Sequence, residues 1–205
     1  MKPRVRGPRA GFTLLEVLIS LSLLAVLSWQ GLAFVQHTGN TARRESSEVV
    51  VEDQARVLLD RIALAILGAN RETLIPESLA PWSASDLRYQ VQLGLQDGEV
   101  VWGAPEEIGH APDIREVFWA ESPGTEEERR IVWARLVAPF IANELPNGVD
   151  DNGNGLIDES GLTFVVDRNA VEVWLTLETV SSEGVTATHT AHTVVTCRNL
   201  PEEDL

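Results

Sequence analysis

Gly11-Phe-Thr-Leu-Leu-Glu16-Val-Leu-Ile-Ser20 opens the stretch that decides how this chain is built. Residues 12–35 are predominantly apolar, and Glu16 is their only charged side chain. At about 1.5 Å of helical rise per residue, they reach about 36 Å, enough to cross a hydrocarbon core of roughly 30 Å. The preceding ten residues carry Lys2, Arg4, Arg6 and Arg9 and no acid. By the positive-inside rule that end stays cytoplasmic and the rest of the chain crosses. A secretory signal would have a shorter apolar stretch and a small-residue cleavage site after it. Here none precedes the polar chain that starts at Gln36. The sequence therefore predicts an N-terminal tether that displays everything downstream.

Glu16 is what a plain signal anchor lacks. A charge near the bilayer centre costs roughly 2.5–3.5 kcal/mol, so an acid there asks for a function. A helix N-terminus eases the cost slightly. A cation eases it more: two unit charges about 4 Å apart gain on the order of 4 kcal/mol at an effective dielectric of 20. Cutting the chain before Phe12 creates such a cation, the new α-amino group. A neighbouring copy's amine could then pair with Glu16 and set the register of packed helices.

Gly11-Phe12-Thr13-Leu14-Leu15-Glu16 resembles the prepilin leader of type IV pilins and type II secretion pseudopilins. The resemblance implies that a prepilin peptidase cuts after Gly11 and methylates the new terminal Phe12, and that Glu16 serves assembly. It implies residues 1–11 as leader, 12–35 as transmembrane helix, 36–70 as periplasmic continuation of the stalk, and 71–205 as an antiparallel β-rich domain. The expected fold class is α+β and pilin-like, a long N-terminal helix packed on an antiparallel sheet. The expected partners are other pilins or pseudopilins, the peptidase and the inner membrane.

Beyond the tether about 170 residues remain, enough for one domain with a real core. Net charge is −15, and removal of the four leader cations leaves twelve against thirty-one acids, or −19. Such a surface repels phosphate backbones, so no nucleic-acid partner is expected. Cys197 is the only cysteine, which excludes an internal disulfide. In a Thr/Val strand it reads as a small buried hydrophobe.

Residues 36–44 are polar and contain Gly39, which suggests a bend or a frayed turn. Helical period resumes over 45–67: Val51, Ala55, Leu58, Ile62 and Ile66 fall on one stripe with Leu59 beside it. Residues 55–62 resemble the post-stalk helix of larger minor pilins and pseudopilins of the J or W type. Residues 76–124, rich in Pro, Gly and acids, read as loops around one hairpin. Tyr89-Gln-Val-Gln-Leu-Gly-Leu95 alternates, Asp97-Gly98 turns, and residues 99–102 return. Further strands are expected at 130–138, 162–167, 170–180 and 185–197. Strands that follow a helix, with no helices between them, give α+β.

Asn147-Gly-Val-Asp150-Asp-Asn-Gly-Asn-Gly-Leu-Ile-Asp-Glu159 is the second informative stretch. With Asp150 at position 1 of a calcium loop, Asn152, Asn154 and Asp158 take positions 3, 5 and 9. Leu156 then offers its carbonyl at position 7, and Gly155 permits the sharp turn at position 6. Position 12 departs: a bidentate Glu belongs there and Gly161 stands in its place. Glu159 or Asp151 could close the site. The expected cofactor is a structural Ca2+ on Asp150, Asn152, Asn154, Leu156, Asp158 and Glu159. The competing reading is a turn-rich loop, since Asn-Gly occurs three times and needs no metal.

No nucleophile elbow, phosphate loop or zinc spacing is present, so an enzyme is not expected. His189 and His192, three apart in a predicted strand, face opposite ways and make no ligand pair. The sequence leads to a minor pseudopilin or pilin, a structural subunit near the filament tip. The alternative is a calcium-stabilised pilus-tip adhesin or substrate-binding module, which a cluster of exposed Trp side chains would favour.

Overall fold

In the computed structural model the described residues are 13–77, 79–180, 184 and 186–197, and the side chains of 33 and 35–47 are not among them. Helix α1 runs Leu14–Leu67. A 3-10 turn, Arg71–Thr73, leads into nine strands among the described residues. These are β1 Asp86–Tyr89, β2 Gln92–Gln96, β3 Glu99–Trp102, β4 Glu106–Ala111, β5 Glu116–Glu121, β6 Arg129–Arg135, β7 Leu162–Asp167, β8 Ala170–Val180 and β9 Thr186–Thr196. They form three sheets, ordered β1-β4-β5-β6, β2-β3 and β7-β8-β9. Every pairing is antiparallel. The α+β expectation holds.

Two compact units divide the chain, 1–45 and 46–205. In the first, the helical backbone continues through 36–44, where the sequence suggested a bend or fray. One glycine costs a helix only about 1 kcal/mol, which a long run of hydrogen bonds on either side absorbs.

In the second unit the core lies between the C-terminal part of α1 and the sheets. Val51, Ala55, Leu58, Leu59, Ile62 and Ile66 are all buried, the stripe the periodicity marked. Against them pack Leu87 and Tyr89 from β1, Ile108 from β4, Val117 from β5, and Phe164, Val171, Val173 and Leu175 from β7 and β8. The β7–β8 hairpin turns at Arg168-Asn169, as the sequence predicts, with Arg168 in the left-handed region. Cys197 lies in the same core, 2% exposed, where burial raises its thiol pKa.

The middle of the chain differs from expectation. Residues 86–88, 106–111 and 116–121, expected as loop, belong to three strands of the four-stranded sheet. The strand predicted over 89–95 is split: Tyr89 ends β1, and β2 begins at Gln92 after a bridge between Val91 and Ala69. The β2–β3 turn falls at Asp97-Gly98 as expected, both with positive φ (54° and 88°). Gly109 is opposite Phe118 across the β4–β5 ladder, and the Phe118 ring fills the place of a side chain at 109. Arg130 covers the ring at 3.5 Å.

Isolated bridges stitch the sheets together. Ala84 exchanges both backbone hydrogen bonds with Phe164, at 3.0 and 2.8 Å. Residues 136–138 run beside β8, where Ala138 N–H donates to Thr176 O at 2.9 Å. Thr176 N–H in turn donates to Gly161 O at 2.8 Å.

Candidate functional site

Two places carry the sequence-predicted site residues. The first is the start of α1. Gly11 and Phe12 lie outside the described residues. Thr13 caps the helix: its Oγ1 accepts from Glu16 N–H at 3.3 Å, and its carbonyl accepts from Val17 N–H at 3.2 Å. Thr-x-x-Glu is the spacing of a capping box, which places Glu16 in the first turn at the positive end of the helix dipole. The Thr13-x-x-Glu16 spacing is the sequence signal for this cap. Glu16 is exposed, together with Leu14, Leu15, Leu18 and the other apolar side chains of the first turns. Leu14–Leu32 is long and apolar enough to cross a membrane, and none of it is buried within the protein.

The second place is the loop before β7. Its curl is held by its own acids and amides. Asp150 accepts three backbone N–H groups, Gly153 at 2.6 Å, Asn154 at 3.2 Å and Gly155 at 2.8 Å. Asn152 Oδ1 accepts from Asn154 N–H, and Asn154 Oδ1 from Leu156 N–H, at 3.0 and 2.9 Å. Asp158 reaches back across the loop to Asn147 and Gly148 N–H, each at 2.8 Å. Gly153 and Gly155 have φ of 77° and 90°, a region L side chains avoid. Asp150, Asn152, Asn154, Leu156, Asp158 and Glu159 thus share one loop, yet the two aspartates spend their oxygens on backbone N–H groups. Among the described residues, no three Asp, Glu, His or Cys side chains converge as a metal-ligating group.

Glu144, which the sequence reading did not single out, enters this loop from the preceding turn. It is 5% exposed and Glu159 is fully buried. Glu144 Oε1 accepts from Asp151 N–H at 3.5 Å and Asp158 N–H at 3.3 Å. Glu159 Oε1 accepts from the Asn154 side-chain amide. Among the described residues, the second oxygen of each carboxylate has no hydrogen-bond partner, and neither does Asn152 Nδ2. Burial, and then the neighbouring Glu159 charge, push the Glu144 pKa up. No spacing rule announces Glu144; the only hint is one acid inside the short Ile141–Pro146 turn.

Beside the loop, His110 on β4 is buried, and its Nδ1 is hydrogen-bonded to Ser160 Oγ. Burial lowers its pKa from 6.5 to about 4. The unfolded chain therefore takes up this proton near pH 6.5 and the folded chain only near pH 4. The contribution of neutral His110 is complete above pH 6.5 and is lost as the pH falls toward 4. At about 1.36 kcal/mol per pKa unit, that loss is at most about 3 kcal/mol. Urea midpoints at pH 7.5 and 4.5 should fall less for His110→Asn than for the wild type. Equal slopes would show that His110 titrates normally.

His192 stacks on Trp174 with ring centroids 4.1 Å apart, and its Nε2 is 2.8 Å from Glu172 Oε1. Trp119 and Trp133 stack at 6.4 Å, and Arg61 lies 4.3 Å above Trp133. In the second unit only Trp82 among the described Trp residues is strongly exposed, at 66%. The exposed Trp cluster expected of a sugar platform is not formed by these side chains.

Residues 6–29 match the family model described as the prokaryotic N-terminal methylation motif. No curated protein and no solved structure matches the chain. The match coincides with the leader, Phe12 and Glu16, so the chain carries the prepilin-type leader of type IV pilins and pseudopilins. That leader implies processing by a prepilin peptidase and assembly with other pilins, and points to a structural subunit rather than an enzyme.

Proposed function

We propose that this chain is a minor subunit of a type II secretion pseudopilus or a type IV pilus, located at or near the filament tip. One observation carries the reading: a methylation motif over residues 6–29 feeds a helix whose apolar side chains are exposed and whose first turn holds a lone acid. Such a helix needs lipid before assembly and neighbouring helices after it. The size of the second unit and the net charge of −15 suit a capping position better than a repeating one. The β-rich unit is displayed in the periplasm, and the anchor lies in the inner membrane.

N-terminal sequencing of protein extracted from membranes tests the first step. The chain should begin at N-methylated Phe12, and Gly11→Val should leave the start at Met1 with the protein still in the membrane. Wild-type protein that begins at Met1 would reduce the segment to a signal anchor.

A further inference from the structure

The Glu144–Glu159 pair is an electrostatic anomaly. Both carboxylates are more than nine-tenths buried, each has one oxygen without a hydrogen-bond partner among the described residues, and the two repel each other. Among the described residues no Lys, Arg or His forms an ion pair with either. Buried carboxylates are normally paired or bound to a metal, and an unsatisfied pair calls for an ion or a proton.

Both groups bond to the same loop. Glu144 holds the N–H groups of Asp151 and Asp158, and Glu159 holds the side chain of Asn154. The buried amide of Asn152 lies between them in sequence, with its nitrogen unpartnered. The loop's own twelfth position cannot supply the missing carboxylate. A Cβ on Gly161 would stand 1.7 Å from Ala138 O, so no side chain fits there. Glu144 comes from the other side and brings the charge that Gly161 cannot.

We propose that a calcium ion is held between the free carboxylate oxygens of Glu144 and Glu159, completed by amide and backbone oxygens of the loop. Asp150 and Asp158 are positioning residues that fix the loop through its backbone N–H groups. This rests on the calcium reading of the loop and changes its ligands. It is independent of the filament reading, because leader processing does not require it. An all-oxygen, irregular site with two charges favours calcium over magnesium, which demands a near-ideal octahedron.

The test uses the full chain in detergent micelles, stripped with EGTA and titrated with CaCl2 by calorimetry, with thermal midpoints read in both states. Wild type should bind one ion with a Kd of about 10⁻⁵–10⁻³ M and melt higher in calcium. Glu144→Gln and Glu159→Gln should each weaken binding at least about tenfold. In EGTA each should melt no lower than wild type, because a buried charge is gone. A merely structural glutamate would lower both midpoints. Wild-type affinity retained in Glu144→Gln overturns the ligand assignment while leaving a calcium loop. No heat and no midpoint shift in the wild type overturns the metal itself. An equal response to MgCl2 overturns the choice of ion.

Discussion

Glu16→Ala protein is expected to accumulate in the membrane, processed at its leader, and to enter filaments at no more than about a tenth of the wild-type level. The carboxylate belongs to the first turn of a helix whose other side chains there are apolar and exposed. In lipid it costs roughly 2.5–3.5 kcal/mol if unpaired. If the chain assembles as proposed, a neighbouring Phe12 amine at about 4 Å would return on the order of 4 kcal/mol, and only in the assembled state. On the proposed filament reading, that pairing would drive the passage from bilayer to fibre and set the axial register. Thr13 adds a control. As the helix cap, it fixes the first turn from which Glu16 projects, and its replacement by Ala should cost about 1 kcal/mol of local order. Glu16→Gln separates charge from hydrogen bonding: it should fail as Ala does. Immunoblots of sheared filaments against membrane pools give the ratio. Incorporation of Glu16→Gln at the wild-type level would remove the amine–carboxylate pairing.

The largest effect on folding is expected from Gly161→Ala. Its φ is not in the glycine-only region; the constraint is space. The added methyl would lie 1.7 Å from Ala138 O and 2.7 Å from Ala138 C. Both are backbone atoms, so no rotamer change relieves the clash. The 136–138 segment or the start of β7 must move, and with it the ladder through Thr176 that links Gly161 O to Ala138 N–H. Overpacking that side chains can absorb costs about 1–3 kcal/mol; a collision with backbone should exceed that and approach the whole stability of a small domain. Gly109→Ala is the comparison. There the collision is with the end of the Phe118 ring, at 2.5 Å, and the ring can turn away. Urea unfolding should rank wild type, Gly109→Ala and Gly161→Ala in falling order. A Gly161→Ala unfolding free energy within about 0.5 kcal/mol of wild type would show that the crossing of the two segments is looser than described.

Sequence patterning revealed whatever was regular. The stripe from Val51 to Ile66 and the alternation of Val171, Val173, Leu175 and Leu177 are periods of 3.6 and 2 written in apolar residues, and each is buried as its pattern requires. Strands β4 and β5 were hidden for the opposite reason. Glu106-Glu-Ile-Gly-His-Ala111 contains a single large apolar residue, and Glu116-Val-Phe-Trp-Ala-Glu121 clusters its apolar residues instead of alternating them. Both are strands because Ile108 and Val117 meet the core and because Phe118 covers Gly109, contacts made only in three dimensions. The loop shows the same division. Its Asp/Asn/Gly rhythm was plain, but the backbone N–H groups that Asp150 and Asp158 accept are set by the curl of the loop. Glu144 is set by where the chain passes, which no local spacing encodes.

The solitary thiol at position 197 has a practical consequence. Shut inside the core and held protonated, it is a poor nucleophile toward maleimides or oxidants. A second cysteine placed on an exposed position of the helix would then be the sole reactive one. Neighbouring protomers could be mapped by disulfide trapping in living cells, with the natural residue left in place.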